Sequence, residues 1–337
     1  MNRLAALARW ETLLVVLWLA ILAWGATRSD FFWQGSNFSV ASSTFMERAL
    51  MTLPMTLLII SGEIDLSIAS ILALASAVLG AGWDAGLPLS VCIALALVVG
   101  AVCGLVNGLL VTKLGLPSLV VTLGTLALYR GLAYAVLNQR AISDYPTAFA
   151  EFGSGTIPGT ALPWSLIVFL VLLGVFALVL HRGWVGRHIY AVGLNREAAR
   201  YAAVNVDRLK IALYVTSGTV AALAGVVLTG RISSSRADNA TGFELDVIAA
   251  VLLGGVSIFG GRGTMLGVVL AVAVVATLRN ALAITNVGPE VQGITIGSLL
   301  ILSVLGPNLL RRLAQARRRP GADRRDRPPQ SDPALRA

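Results

Sequence analysis

The sequence predicts an all-α membrane protein with about ten transmembrane helices. Of its 337 residues, 56% are hydrophobic and only 13% are charged, and the mean hydropathy is +0.80. A soluble domain carries about 25% charged residues. Apolar windows that cross, or nearly cross, a hydrocarbon core of about 30 Å follow one another along the chain. They lie at about 12–27, 47–61, 66–83, 87–111, 116–138, 163–181, 210–230, 245–259, 264–281 and 291–310.

The distribution of positive charge predicts that both termini are cytoplasmic. With the N-terminus inside, cytoplasmic segments carry ten Lys and Arg residues before residue 311, and external segments carry six. Lys and Arg concentrate in cytoplasmic loops, so this orientation is favoured. The first 26 residues also resemble a cleaved signal peptide, and its removal would leave nine spans.

The chain divides into a membrane domain and a tail. Residues 1–310 hold all ten windows and form the predicted transmembrane domain. Residues 311–337 contain nine Arg and three Asp, a net charge of 9 − 3 = +6, and are rich in Pro. Such a composition predicts a disordered cytoplasmic tail that contacts anionic lipid.

Two pairs of segments indicate an internal repeat. "EIDLSIA" (63–69) matches "ELDVIAA" (244–250), and "LVNGLLVTKLGLPSLVVTLGTLAL" (105–128) matches "LRNALAITNVGPEVQGITIGSLLI" (278–301). The second to fifth predicted spans therefore correspond to the seventh to tenth. One span separates the two sets, so they run in opposite directions across the membrane. Inverted repeats of this kind are typical of transporters.

The repeat predicts helix-capping roles for a set of acidic and hydroxyl residues. Each copy of the motif stands at the predicted start of a helix, where a carboxylate accepts unpaired backbone N–H groups and faces the positive end of the helix dipole. The alternative is a proton or ligand site, because acids inside a membrane are often functional. The motif residues are Glu63, Asp65, Ser67, Glu244 and Asp246.

Four motifs in order resemble the permease subunits of bacterial ABC importers for monosaccharides, the ribose/xylose/arabinose/rhamnose and autoinducer-2 group. They are "GEIDLSIAS", "GLPSLVVTLGTLALYRG", "AVGLNREAARYAAVNV" and "LLGGVSIFGGRGT", and the resemblance covers about residues 40–310. The first motif departs from the family's usual "GGIDLSVGS" at Glu63, Ile68 and Ala69. The amino-acid sequences of the second and fourth motifs favour the rhamnose-like branch of this family.

The resemblance implies a multi-pass permease of the bacterial inner membrane that dimerises around a central path, with itself or with a sister permease. It also implies two other partners, a cytoplasmic ABC ATPase and a periplasmic or lipoprotein sugar-binding protein. No nucleic-acid partner is expected.

The cytoplasmic segment 182–209 is the best candidate for contact with that ATPase. It is basic, and "NREAARYAA" predicts a short helix with Asn195 as its N-cap. Gly193 permits a turn, and Ala198 and Ala199 permit close packing beside Arg200. The resemblance places the coupling helix here. The alternative is a solvated basic loop.

A weakly polar stripe on the fifth span predicts a substrate path. Thr122, Thr125 and Tyr129 lie on one helical face, and the repeat adds Thr295 and Ser298. Hydroxyl groups of this kind suit the passage of a sugar without tight binding. The alternative is packing between helices, where Thr and Ser are common.

Motifs for chemistry are not found in the sequence. It contains no GxxxxGK[ST] phosphate loop, no cluster of metal ligands and no catalytic pair of carboxylates. ATP and Mg²⁺ are therefore expected on a partner, and this chain is predicted to be a permease without a cofactor and not an enzyme. Two alternatives remain: an ion-coupled secondary sugar transporter that uses Glu63 and Asp65, and a membrane-embedded enzyme such as a transferase of lipid-linked sugar.

Overall fold

A computed structural model gives the fold, and the structure describes residues 3–288, 290–299 and 301. A short 3-10 helix, Asp30–Trp33, precedes the second α-helix. The α-helices are α1 (Arg3–Ala26), α2 (Gly35–Ile60), α3 (Ile68–Asp84), α4 (Leu89–Thr112), α5 (Ser118–Leu137), α6 (Thr147–Ser154), α7 (Trp164–His181), α8 (Trp184–Leu194), α9 (Arg196–Tyr201), α10 (Val206–Ile232), α11 (Phe243–Leu253), α12 (Met265–Ile284) and α13 (290–299).

The all-α prediction is confirmed for the described part of the chain, where β pairing is limited to two isolated bridges. Six described helices are long and apolar enough to cross a membrane, namely α2, α4, α5, α7, α10 and α12. Apolar segments that are shorter occur at Trp10–Ala26 in α1 and Ile68–Asp84 in α3. The predicted tail, 311–337, and the end of the last predicted span lie outside the described residues.

Helix α2 is the centre of the bundle. Its residues from Ala49 to Ile60 are buried, and it packs against α7, α10, α11 and α12. Helices α4, α5 and α7 lie outside and expose apolar side chains such as Val98, Leu123 and Val171. A helix that is apolar on its outer face suits a lipid environment, because lipid cannot satisfy polar groups.

Three glycines bring α4 and α10 into backbone contact. Gly100, Gly104 and Gly108 recur every four residues and so lie on one face of α4. A Cβ atom at Gly104 would lie 2.2 Å from the carbonyl oxygen of Tyr214, and one at Gly218 would lie 2.1 Å from that of Gly100. Small residues at this spacing allow membrane helices to approach closely.

Helix α1 is part of this bundle. The Trp18 indole donates a hydrogen bond to Thr277 Oγ1 on α12 at 3.0 Å. Trp10 donates to the carbonyl oxygen of Leu253 at 3.1 Å, and Thr264 donates to Glu11 at 3.0 Å. These contacts join the first helix to the end of α11, to the start of α12 and to the middle of α12.

Candidate coupling site and buried polar centre

The segment predicted to contact an ATPase contains two short helices, α8 and α9. Asn195 follows α8 as its C-cap and is the N-cap of α9, since its Oδ1 accepts a hydrogen bond from the Ala198 N–H at 3.0 Å. The sequence pattern predicted α9 and this cap, whereas α8 was not predicted. Its sequence, "WVGRHIYAVGL", contains Gly, Arg and His among its apolar residues, although Ile189 and Val192 are buried on one side.

A small apolar core joins these helices to α10. Val192 of α8, Ala199 of α9 and Val206 of α10 are buried together. Ala198 and Arg200 are exposed on α9. One face of α9 is therefore anchored to the membrane bundle, while its other face is open to a partner.

Gly193 places the end of α8 against two other backbone segments. A Cβ atom there would lie 1.8 Å from the carbonyl oxygen of Ile60 and 2.5 Å from the Gly261 nitrogen. The Gly261 N–H itself donates to the Ile60 carbonyl at 2.8 Å. The Tyr190 hydroxyl donates to the Gly263 carbonyl at 2.7 Å, and burial raises the pKa of Tyr190 above its ordinary value. The ends of α2 and α8 and the glycine turn after α11 thus form one contact.

Asp207, which the sequence analysis did not single out, is the centre of the charges around α9. Its carboxylate lies 3.2 Å from Arg200, 3.8 Å from Arg196 and 4.0 Å from Lys113. Arg200 also lies 3.5 Å from Glu197. These side chains are partly exposed, so each pair contributes about 0–1 kcal/mol. Their main effect is to orient Arg200.

Asp65 is the centre of a buried hydrogen-bond network between four helices. Its Oδ1 accepts from the Ser67 N–H at 3.0 Å and from the Ser67 hydroxyl at 2.6 Å. Its Oδ2 accepts from Ser217 on α10 at 3.0 Å. Asn107 of α4 donates to Ser67 Oγ at 2.8 Å, and the Tyr129 hydroxyl of α5 lies 3.2 Å from Asn107 Oδ1. Every one of these side chains is buried, so the network fixes how these helices meet.

The capping prediction holds for Asp65 but not for Glu63 in the first copy of the motif, because Asp65 accepts the Ser67 N–H just before α3. The N-cap of α3 is Ser67, and Asp65 lies two residues before it. Glu63 lies further from the helix and is paired with Lys210 of α10; only 7% of Glu63 and 3% of Lys210 is exposed. Buried charges are stable only when they are paired, and here the partner lies on a distant part of the chain.

The second copy of the motif also differs from the prediction. Glu244 and Asp246 both lie in the first turn of α11, but the N-cap is Gly242. Asp246 instead accepts from Arg48 of α2 at 2.9 Å and from Arg279 of α12 at 2.6 Å. It therefore joins three helices and caps none.

Another buried ion pair, Glu47 with Arg231, was missed by the sequence analysis. Arg231 Nε donates to Glu47 Oε1 at 2.6 Å, and Glu47 is fully buried. The signal was present in the sequence, because "MERALM" places an acid and a base at the edge of an apolar window. Acids and bases in such positions usually have a partner.

The polar stripe of α5 faces the protein interior. Thr122 donates to the carbonyl oxygens of Ser118, at 2.8 Å, and Ile64, at 3.3 Å, and Thr125 lies 3.5 Å from the Thr122 carbonyl. With Tyr129 they are buried. Their hydroxyls have backbone or side-chain partners, which favours the packing alternative, and the role of these three residues in a substrate path stays a prediction.

The repeat counterparts of that stripe are more open. Thr295 is half-buried on α13, and Ser298 is exposed on the same helix. Thr295 donates to the Val291 carbonyl at 2.8 Å, one turn earlier in its own helix. These two residues remain candidates for a path between subunits.

The comparisons with known proteins agree on one kind of protein, the permease component of a transport system. Residues 37–304 match the model of the family described as branched-chain amino acid transport system / permease component. The chain is 38% identical over 275 residues to the "Autoinducer 2 import system permease protein LsrD" of Yersinia enterocolitica, which covers 80% of this chain and 82% of that protein.

Other relatives carry the same name. The chain is 36% identical over 307 residues to the proteins of that name from Yersinia pseudotuberculosis (strain YPIII) and Yersinia pestis (strain Angola), with 89% of this chain and 91% of each relative covered. No solved structure matches the chain.

Proposed function

We propose that this chain forms the membrane path of an ATP-driven importer, because it belongs to the family of transport-system permease components. The predicted resemblance to such permeases is confirmed by the family match. The chain is thus a transport protein and not an enzyme, and it is a multi-pass protein of the inner membrane. The observation that carries the coupling mechanism is α9, a capped helix with one face anchored through Ala199 and the other face open.

The substrate we propose is a small sugar or sugar-derived molecule of the autoinducer 2 class. The support is the name shared by the relatives at 36–38% identity. The rhamnose-like preference suggested by the motif wording has no counterpart among those names. Because the family description mentions branched-chain amino acids, these belong in a substrate panel as well.

We propose that the chain crosses the membrane ten times, with both termini cytoplasmic and the two helix sets inverted. Contacts between the predicted repeats support this arrangement. Glu63 and Asp65, in the turn before α3, contact Lys210 and Ser217 of α10, the first helix of the other repeat. Asp246, in the first turn of α11, reciprocally contacts α2 through Arg48. Reciprocal contacts of this type are expected from two related halves.

The proposed mechanism is alternating access. A periplasmic or lipoprotein binding protein delivers the substrate to the external side of two permeases, either two copies of this chain or this chain and a sister. ATP and Mg²⁺ bind to the cytoplasmic ATPase subunits and draw them together. The ATPases displace α9, and the contact of Gly193 with the end of α2 transmits that displacement to the centre of the bundle.

The double variant Asn195→Ala/Ala199→Trp tests this coupling. It removes the cap of α9 and overfills its anchor, which costs about 1 kcal/mol for the cap and about 1–3 kcal/mol for the overpacking. We expect hydrolysis stimulated by the loaded binding protein to fall at least about tenfold in liposomes, while basal ATPase activity persists. Ala127→Trp, on the exposed face of α5, is the matched control and should leave stimulation unchanged.

The same reconstitution identifies the substrate and tests the alternative. The panel contains binding proteins loaded with autoinducer 2, monosaccharides or branched-chain amino acids. The importer proposal fails if no ATPase co-purifies with the chain and a proton gradient drives substrate uptake instead. Loss of that uptake in the Asp65→Asn variant would complete the contrary result. In that case the buried network around Asp65 would carry protons.

A further inference from the structure

The turn between α11 and α12 exposes an aromatic side chain that the coupling site does not use. Phe259 is 90% exposed, and Ile258 beside it is 50% exposed. Leu194, the last residue of α8, is 67% exposed, and its side chain lies against Gly261 of the same turn. We call residues 255–263 the Phe259 turn.

The Phe259 turn is held in one conformation by its own hydrogen bonds. The Ser257 N–H donates to the Arg262 carbonyl at 2.9 Å, and the Gly260 N–H donates to the Ser257 carbonyl at 2.9 Å. Gly260 and Gly261 have φ angles of +79° and +69°, which favour glycine. A rigid tip with an exposed phenyl ring loses little conformational entropy on binding.

The location of the turn favours a protein partner over lipid. Gly261 donates to the carbonyl of Ile60, the last residue of α2, and α2 is the buried centre of the bundle. The turn therefore covers the middle of the bundle's end and not its lipid-facing edge. Gly260 also contacts Gly193, so the turn is continuous with the α8–α9 surface.

The chemistry of this surface is that of an interface anchor. Apolar side chains lie at the tip, and the exposed Arg262 follows them in the same turn. Aromatic residues and Arg are enriched where proteins bind each other. A fitting partner presents an apolar recess with acidic residues at its rim.

We propose that the Phe259 turn is a second docking element for the cytoplasmic ATPase, which receives Phe259 in an apolar recess beside the site that contacts α9. This inference rests on the proposed importer function. Two contact points, at α9 and at Phe259, would fix the orientation of the ATPase against α8 and α9.

Thiol protection in nanodiscs tests the proposal with the full-length protein. The native Cys92 and Cys103 are buried and free, so Phe259→Cys adds an accessible thiol. The co-purified ATPase should slow its reaction with a water-soluble maleimide at least tenfold. Tyr201→Cys is the reference for the coupling helix, because Tyr201 lies at the end of α9 and is 92% exposed. Phe31→Cys is the control, because Phe31 lies near the start of α2 and is 44% exposed; the ATPase should not change its rate of reaction with the maleimide. In addition, Phe259→Ala should weaken ATPase binding about tenfold or more.

The outcomes separate this inference from the importer function. If the ATPase protects Tyr201→Cys but not Phe259→Cys, the docking proposal is wrong and the importer proposal stands. If no ATPase associates with the protein, both are wrong. Reaction of Phe259→Cys only with a lipid-partitioning maleimide, without protection by the ATPase, would show that the turn contacts the membrane and would also overturn the proposal.

Discussion

Replacing Lys210 with alanine is expected to destabilise the protein by about 3–5 kcal/mol, because the change leaves Glu63 as an uncompensated buried charge. Lys210 and Glu63 pair in the interior, with 3% and 7% of each residue exposed. The free energy of unfolding in mixed micelles, followed by circular dichroism during titration with sodium dodecyl sulfate, measures the effect.

The chain supplies a matched control, since its other lysine is Lys113. The Lys113 side chain is 63% exposed and lies 4.0 Å from Asp207, so Lys113→Ala should cost less than about 1 kcal/mol. The double variant Glu63→Gln/Lys210→Met should recover much of the stability, because no buried charge is left. Equal losses for Lys210→Ala and Lys113→Ala would show that the buried pair does not stabilise the fold.

Replacing Gly104 with alanine is expected to cost about 1–3 kcal/mol by forcing α4 and α10 apart. The added Cβ atom would lie 2.2 Å from the Tyr214 carbonyl oxygen, which is backbone and cannot rotate away. The Asp65 network spans the same two helices, so its geometry should change as well. The melting temperature of the purified protein and its expression level in membranes report the loss.

Gly124→Ala is the control for this prediction and should act in the opposite direction. Gly124 lies in α5, and no atom lies within 4 Å of a Cβ atom built there. Alanine is a better helix former than glycine by about 1 kcal/mol, so the variant should be as stable as the native protein or slightly more stable. A stable Gly104→Ala variant would mean that α10 adjusts without cost and that backbone contact is not required.

Much of the secondary structure was predictable because it depends on local properties. The apolar windows at about 87–111 and 116–138 correspond to α4 and α5 within a few residues. Helix α9 was predicted from an N-cap and a run of good helix formers. Helix α8 was missed because its glycines and charges resemble a loop, and its helical state depends on burial of Ile189 and Val192.

The sequence singled out several of the site residues, but it did not predict which partners they contact. Asp65 stood out because an acid between apolar runs is costly. Its partner Ser217 lies 152 residues away, and Lys210 lies 147 residues from Glu63, so no local pattern joins them. Likewise, the stripe of Thr122, Thr125 and Tyr129 marked a distinct face of α5, but periodicity does not tell whether that face meets a path or another helix.

Sequence alone was enough to predict that the chain is an all-helical membrane protein, roughly where helices such as α4, α5 and α7 lie, and which family the chain resembles. Hydropathy, helix periodicity and capping act over a few residues, so they can be read in order along the chain. The tertiary structure alone decided which charges pair, as with Arg48 and Asp246, and which glycines lie at backbone contacts. These features depend on how helices distant in sequence pack, and packing selects partners by shape and desolvation across the whole bundle.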